Sequence, residues 1–235
     1  MKLMTTLKTV IVTIIMLLSL NIQQTTAITI EVKTAGTLPA LIPYNVSSIT
    51  ELTITGNLNG TDIRLIRQLA GNDYNGKTTN GRLTELDISG AKIISGGETY
   101  YADLIVLDDT LSRYMFKDCT KLSVIKLPDN VAHIGHGVFE GCTGLKRVII
   151  PNSYISIGDD AFRDCSALTE IIIPDSVTTI GERAFLGCRS LINFTIPNSV
   201  INIGEMAFQD CKSLRRFIVS EEHEVFSVID SVLYI

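Results

Sequence analysis

Five cysteines recur at one interval, and that interval limits what the chain can fold into more than any other feature. Cys119, Cys142, Cys165, Cys188 and Cys211 are each 23 residues apart. Phe116, Phe139, Phe162, Phe185 and Phe208 keep the same step, as do Gly135, Gly158, Gly181 and Gly204, and Pro128, Pro151, Pro174 and Pro197. Four residue types held in one register by one short period mark a repeat architecture, in which no unit can bury its apolar face alone and neighbours bury it by stacking.

One unit, residues 168–188, reads Leu-x-x-Ile-x-Ile-Pro-Asp-Ser-Val-x-x-Ile-Gly-x-x-Ala-Phe-x-x-Cys. Its apolar positions are matched by Leu122, Ile125, Leu127, Val131, Ile134 and Phe139, and by Leu145, Val148, Ile150, Tyr154, Ile157 and Phe162. Leu191, Phe194, Ile196, Val200, Ile203 and Phe208 match them again, and Leu214, Phe217 and Val219 open a further unit. The Leu-x-x-Ile-x-Ile start has the period-2 ending of a short strand, which proline stops. The Ile-Gly step supplies a turn at which the backbone can need positive φ. The segment after it suits a single helical turn that packs phenylalanine inward. Gly or Asp before each cysteine tolerates a left-handed, helix-ending conformation. Each coil is therefore strand, turn and helical turn. Stacked coils pair their strands about 4.8 Å apart, which predicts an α/β solenoid of 23-residue coils, with a parallel β-sheet along one side and short helical turns on the other.

This pattern, clearest in residues 168–188 and 191–211, resembles the BspA-type leucine-rich-repeat family, over residues 116–219. The earlier strand motifs Ile49-Thr-Glu-Leu52-Thr-Ile54 and Leu83-Thr-Glu-Leu86-Asp-Ile88 resemble the N-terminal section of bacterial cell-surface members. The resemblance implies a secreted or cell-surface leucine-rich-repeat protein that binds other proteins and adheres to host or neighbouring-cell components.

Four segments follow from the pattern. Residues 1–27 read as a signal peptide: Lys2 and Lys8 precede an apolar run from Val10 to Leu20, and Thr25-Thr26-Ala27 supplies small residues for cleavage. The run is short for a membrane span and polar Asn21, Gln23 and Gln24 follow it, and no later segment is long and apolar enough to cross a bilayer. Residues 28–110 read as an N-terminal cap with irregular leucine-rich repeats. Within it Ile63, Ile66 and Leu69 share one helical face, with Thr61 or Asp62 as N-cap and Gly71 as the stop. Residues 71–81 read as a loop, whereas 94–109 give no clear pattern. Residues 111–219 are the regular repeats, and 220–235 a variant or partial unit.

Charge and chemistry narrow the function. The chain carries a net charge of −5, and removal of Lys2 and Lys8 with the signal would leave 18 basic against 25 acidic residues, or −7. That disfavours a nucleic-acid partner, which needs a basic face. Cysteines in identical phases point in parallel, poor geometry for disulfides, so they read as a ladder of buried thiols. A 23-residue spacing offers no zinc site. His133 and His136 lack a third ligand and are expected on the solvent side, and Asp159-Asp160 is expected at the start of a helical turn. Asn45, Asn59 and Asn193 begin glycosylation sequons. No serine-nucleophile motif or phosphate-binding glycine loop is present. The chain is read as a non-enzyme without cofactor.

The strand positions that leave the core then carry the function. They are Val124 and Lys126, Arg147 and Ile149, Glu170 and Ile172, Asn193 and Thr195, and Arg216 and Ile218. Ile149, Ile172, Thr195 and Ile218 form an apolar stripe beside a row of Arg147, Glu170, Asn193 and Arg216. An apolar strip with a polar border suits a protein interface; β-branched residues equally suit any exposed strand. A structural or scaffolding envelope protein, in the periplasm or on the surface, is the alternative. A carbohydrate-binding accessory ranks below both, because there is no tryptophan and the strand face lacks tyrosine.

Overall fold

A computed structural model of the protein describes residues 26–42, 48–108, 110–229 and 232–234. Residues 1–25 of the expected signal peptide and the Asn45 sequon lie outside them.

The described residues begin with three long strands, β1 (Thr26–Val32), β2 (Ile49–Leu58) and β3 (Glu85–Ile93), paired in parallel in that order. Their alternate residues, among them Leu52, Ile54, Leu58, Leu86, Ile88 and Ile93, point into the core. A short helix α1 (Leu38–Leu41) and a longer one, α2 (Gly60–Leu69), lie between the strands. Helix α2 buries Ile63, Ile66 and Leu69, as its periodicity predicts. Its N-cap is Asn59, however, neither Thr61 nor Asp62. Asn59 Oδ1 accepts from the Thr61 N–H at 3.0 Å, and the Asp62 carboxylate accepts from the Asn59 N–H at 3.0 Å, a reciprocal capping box. Asp62 is in addition buried against the N-terminal loop, taking the Gly36 and Leu38 N–H groups at 2.6 and 2.9 Å. Three donors therefore satisfy a carboxylate that could not otherwise be buried. Residues 96–106, within the stretch that gave no pattern, form an antiparallel hairpin of β4 (Gly96–Tyr101) and β5 (Leu104–Val106). It is tied to α2 by an Arg64–Glu98 ion pair and by the Glu98 N–H donating to Thr61 Oγ1 at 3.0 Å.

The regular repeats continue the sheet. Strand β6 (Val124–Lys126) pairs with β3, and β8 (Arg147–Ile149) with β6, Val124 lying opposite Arg147, 23 residues on. Farther along, β11 (Asn193–Thr195) pairs with β13 (Arg216–Ile218), again with an offset of 23 residues. A second parallel sheet runs along the returning side: β7 (His133–Ile134), β9 (Ser156–Ile157), β10 (Thr179–Ile180) and β12 (Asn202–Ile203), hydrogen-bonded in chain order. The chain closes with an antiparallel pair, β14 (Ser227–Ile229) and β15 (Val232–Tyr234), before which Phe226 is buried. This is a leucine-rich-repeat α/β fold with mostly parallel strands.

Two expectations about the returning segments are corrected. Where helical turns were expected, the described residues of 111–219 contain no helix. Each return instead places two residues four apart at positive φ: Tyr114 and Asp118, Gly137 and Gly141, Asp160 and Asp164, Arg183 and Gly187, Met206 and Asp210. This alternation turns every second N–H toward the next repeat, as in Gly137→Asp159 O, Phe139→Ala161 O and Gly141→Arg163 O at 2.9, 2.8 and 2.8 Å. A helix would satisfy those groups within its own turn and leave the repeats joined only by side chains. The Ile-Gly glycines, in turn, are not at positive φ. They are needed because the preceding repeat passes too close for a side chain: a Cβ at Gly158 would lie 2.8 Å from the Ile134 carbonyl oxygen, and one at Gly181 2.6 Å from the Gly158 carbonyl carbon.

Inside the return, Phe116, Phe139, Phe162, Phe185 and Phe208 stack nearly parallel, with centroids 5.2–5.6 Å apart. Each thiol from Cys142 to Cys211 donates to the carbonyl of the phenylalanine in the repeat before it, at 3.0–3.2 Å. All five cysteines are free, the ladder their spacing predicts. Burial raises their pKa values, to about 11 for Cys119 and for Cys211 and well above the ordinary range for Cys142, Cys165 and Cys188.

The return at 111–118 follows no return of the same kind among the described residues, and side chains of α2 and β4 donate to its carbonyls instead. Tyr100 donates its hydroxyl to Arg113 O, and buried Arg67 donates to Met115 O at 3.1 Å. These two carbonyls are the 23-residue counterparts of His136 O and Val138 O, which accept from Tyr114 and Phe116 N–H. Arg67 also reaches Asn72 Oδ1 at 2.6 Å and Asp73 O at 3.2 Å and lies over the Tyr101 ring, so its charge is held by oxygens and an aromatic face.

Candidate functional site

The outward strand positions sit on one face, as their alternation requires. Lys126, Arg147, Glu170, Ile172, Asn193, Thr195, Arg216 and Ile218 are exposed, and Ile172 keeps 72% of its surface in solvent. Val124 and Ile149 are half-buried, so the apolar stripe begins in earnest at Ile172. At the opposite end of the face Lys126 is held by Asp87, Nζ to Oδ2 at 2.7 Å. That pair and the Ser89 N–H and hydroxyl keep the Asp87 pKa low although partial burial opposes them.

The face is interrupted. Residues 168–173 carry the same motif as their neighbours, yet they form no strand, and among the described residues no backbone hydrogen bond joins 169–173 to the strand on either side. Burial of the inward side chains agrees. Ile125 and Leu127 are sealed, whereas Val148, Ile150, Ile171 and Ile173 retain 4–9% exposure; Phe194, across the groove, stays sealed against Phe185 and Phe208. Nothing in the residues explains the parting, because Ile171-Ile172-Ile173 is as strand-prone as any segment of the chain.

A groove of about 660 Å³ opens at this place, between residues 169–173 and 192–195. Buried Ile171 and Ile173 and exposed Ile172, Thr195 and Ile218 line it, and Glu170 and Asp175 carry its charge. It continues past Asp175 and Ile218 toward Ser220. The structure thus brings together Glu170, Ile172, Asn193, Thr195 and Ile218 of the expected face, and leaves Val124, Lys126, Arg147, Ile149 and Arg216 outside the groove. Asp175 and Ile192 were missed. Ile192 had a signal, since it is an exposed isoleucine in a column otherwise filled by Ser123, Lys146, Thr169 and Arg215.

Other candidates resolve as structure. His133 is exposed and shares a hydrogen bond with Ser156 Oγ at 2.8 Å. His136 reaches solvent only in part, its Nε2 3.0 Å from the Tyr114 hydroxyl and 4.0 Å from Asp160 Oδ2. Asp159 and Asp160 begin no helix. Asp159 accepts the Glu182 N–H at 2.8 Å, and buried Asp160, at positive φ, lies 3.5 and 3.3 Å from Arg163 and Arg183. Among the described residues no group of three or more His, Cys, Asp or Glu could hold a metal ion, and no helix is long and apolar enough to cross a membrane.

Residues 109–229 match, in six copies, the family described as BspA type leucine rich repeat region. No curated protein matches the sequence. Among solved structures, a leucine rich repeat protein of T. pallidum is 31% identical over 59% of this chain and 60% of its own, with a TM-score of 0.49. A leucine rich cell surface protein of Faecalibacterium prausnitzii is 20% identical over 74% of this chain and 55% of its own, at 0.49. A leucine-rich repeat protein from Eubacterium ventriosum is 19% identical over 77% of this chain and 41% of its own, with a TM-score of 0.54, and that match supports the fold. The chain spans 41–60% of the length of these three proteins.

Proposed function

The chain belongs to the BspA-type leucine-rich-repeat family, matched over 109–229, and from that premise we propose that it is an exported solenoid of 23-residue coils that binds a protein partner through its strand face, adhering to a host or neighbouring-cell component. The observation that carries this reading is the groove at Ile172, Thr195 and Ile218, where large exposed isoleucines gather on a face otherwise bordered by charge. An apolar centre with a polar rim is the anatomy of a protein interface. The N-terminal Lys2, Lys8 and the apolar run after them support export. A scaffolding role in the envelope is the second reading, favoured by the same repeat stacking if the face stays empty.

The test has two parts. Producing cells are fractionated, and intact cells are briefly treated with protease; a mature chain shaved from outside supports a surface role, and a chain confined to the periplasm excludes adhesion. Ile172→Glu combined with Ile149→Glu is then measured against a captured partner. Lost binding with unchanged circular dichroism supports the face, and unchanged binding removes it.

A further inference from the structure

We propose that the groove between residues 169–173 and 192–195 receives an extended, basic peptide segment of the partner, which pairs its main chain with the parted strands. This rests on the strand-face reading above and adds to it the conformation and charge of what binds. Three observations meet here.

The first is backbone. Residues 169–173 lie between β8 and β11 without a ladder bond to either, so main-chain groups that β3 and β6 use on both of their sides are free here for a partner. Unpaired main-chain groups beside an apolar surface are costly to leave unmatched, and a parted sheet edge is a template for an added strand. The second is the floor. Ile171 and Ile173, inward residues that are sealed in the intact part of the sheet, here reach the groove, and Ile172, Ile192 and Ile218 stand exposed around it. An extended chain puts alternate side chains on opposite sides, so apolar residues at every second position would enter the groove. The third is charge. Glu170 and Asp175 line the groove and no lysine or arginine does; Arg147 stands one repeat before Glu170, and Arg216 two residues from Ile218 on the same strand, outside the lining. Cations on the alternate positions of the peptide match that rim, and an acidic peptide would meet like charge.

The probe is a fluorescein-labelled peptide, Lys-Val-Thr-Val-Lys, capped at both ends and titrated with the full chain by fluorescence anisotropy. Three controls accompany it: Glu-Val-Thr-Val-Glu, the basic peptide N-methylated at both valines, and the Glu170→Lys, Asp175→Lys protein. Saturable binding of the basic peptide, weakened at least about tenfold by N-methylation and roughly tenfold by the double charge reversal, is the expected result. Both changed residues are exposed, and circular dichroism verifies that the variant folds. Equal binding of the methylated peptide overturns strand pairing, equal binding of the acidic peptide overturns the charge assignment, and no saturation of any peptide overturns the site. None of these touches the wider face reading, which the Ile149 and Ile172 pair tests with a whole protein partner.

Discussion

The repeat at residues 168–188 is closed on one side and open on the other. Its return is bonded to both neighbours: Thr179 pairs with Ser156 and with Asn202, Phe162 N–H donates to Ala184 O, and Phe185 N–H to Ala207 O. Its strand side makes no such bond to either neighbour. The residues on the open side are the better strand formers, Ile-Ile-Ile against Thr-Thr-Ile. Local propensity therefore does not decide which side closes. What the return has, and the strand side lacks, is a set of identical groups that interlock between repeats: a phenylalanine stack, a thiol-to-carbonyl ladder and left-handed residues that aim N–H groups at the next repeat. With its stability concentrated on the return, the strand side of this repeat is free to part.

The largest expected effect exploits the thiols, which belong to the return alone. A free thiol titrates near pH 8.5 to 9, and burial holds these above it. Between the unfolded and folded values the folded state binds more protons, so stability is intact below about pH 8.5 and falls as pH rises. The four thiols from Cys119 to Cys188 are all buried and act in the same direction, so their losses reinforce one another as the pH rises. Urea midpoints measured from pH 7 to 10 should be flat and then drop, and a Cys142→Ala, Cys165→Ala variant should drop less. A flat profile throughout would break the claim that the return holds the repeats together.

Next in size is a direct contrast of the two sides. Phe162→Ala removes a ring stacked 5.2 and 5.3 Å from Phe139 and Phe185 and should cost about 3–5 kcal/mol. Ile171→Ala, at the parting, should cost about 2 kcal/mol, because part of its side chain already faces the groove. Chemical denaturation of both variants decides it; equal losses would mean that the strand side carries as much as the return. Hydrogen exchange gives the local version. Amides of 171–173 should exchange far faster than those of Thr179 and Ile180, which are bonded within the return sheet.

The side that was legible in the sequence is the one described by period and polarity. The 23-residue step placed Ile125, Leu127, Phe162, Cys165 and their equivalents in the core, and alternation placed Ile172, Thr195 and Ile218 on one outer face. Helix α2 was legible because Ile63, Ile66 and Leu69 mark a face. The shape of the return was not. The left-handed residue before each cysteine was legible as Gly or Asp, but the one four residues earlier is Tyr114, Gly137, Asp160, Arg183 or Met206, and no composition signal marks that set. The partners of Arg67 and Tyr100 were hidden for another reason: they meet the carbonyls of the return at 111–118 once, and a feature that occurs once has no period. The parting at 169–173 depends on how neighbouring repeats approach one another, whereas the motif reports each repeat by itself.

The smallest predicted effect concerns the alternation before the cysteines, Asp118, Gly141, Asp164, Gly187 and Asp210. All five residues have φ between +57° and +75°, so tolerance of that region explains why Gly or Asp stands there but not why they alternate. The stacking does. A Cβ built at Gly141 would run into the Asp118 carboxylate, and one at Gly187 into that of Asp164, so the aspartate of one repeat occupies the space that the next leaves empty. Gly187→Asp would place two carboxylates in one space and should cost about 1–2 kcal/mol through like charge and crowding. Asp164→Gly keeps the left-handed conformation and should change stability by less than about 1 kcal/mol. If the pairing is the cause, the double variant Asp164→Gly, Gly187→Asp should recover most of the loss, although Gly187→Asp then meets Asp210 instead, in a repeat whose carboxylate is exposed and free to move. A double-mutant cycle by urea denaturation measures this. Additive losses would show that each position is chosen for its own backbone, and a coupling near 1 kcal/mol would show that one repeat selects the residue of the next.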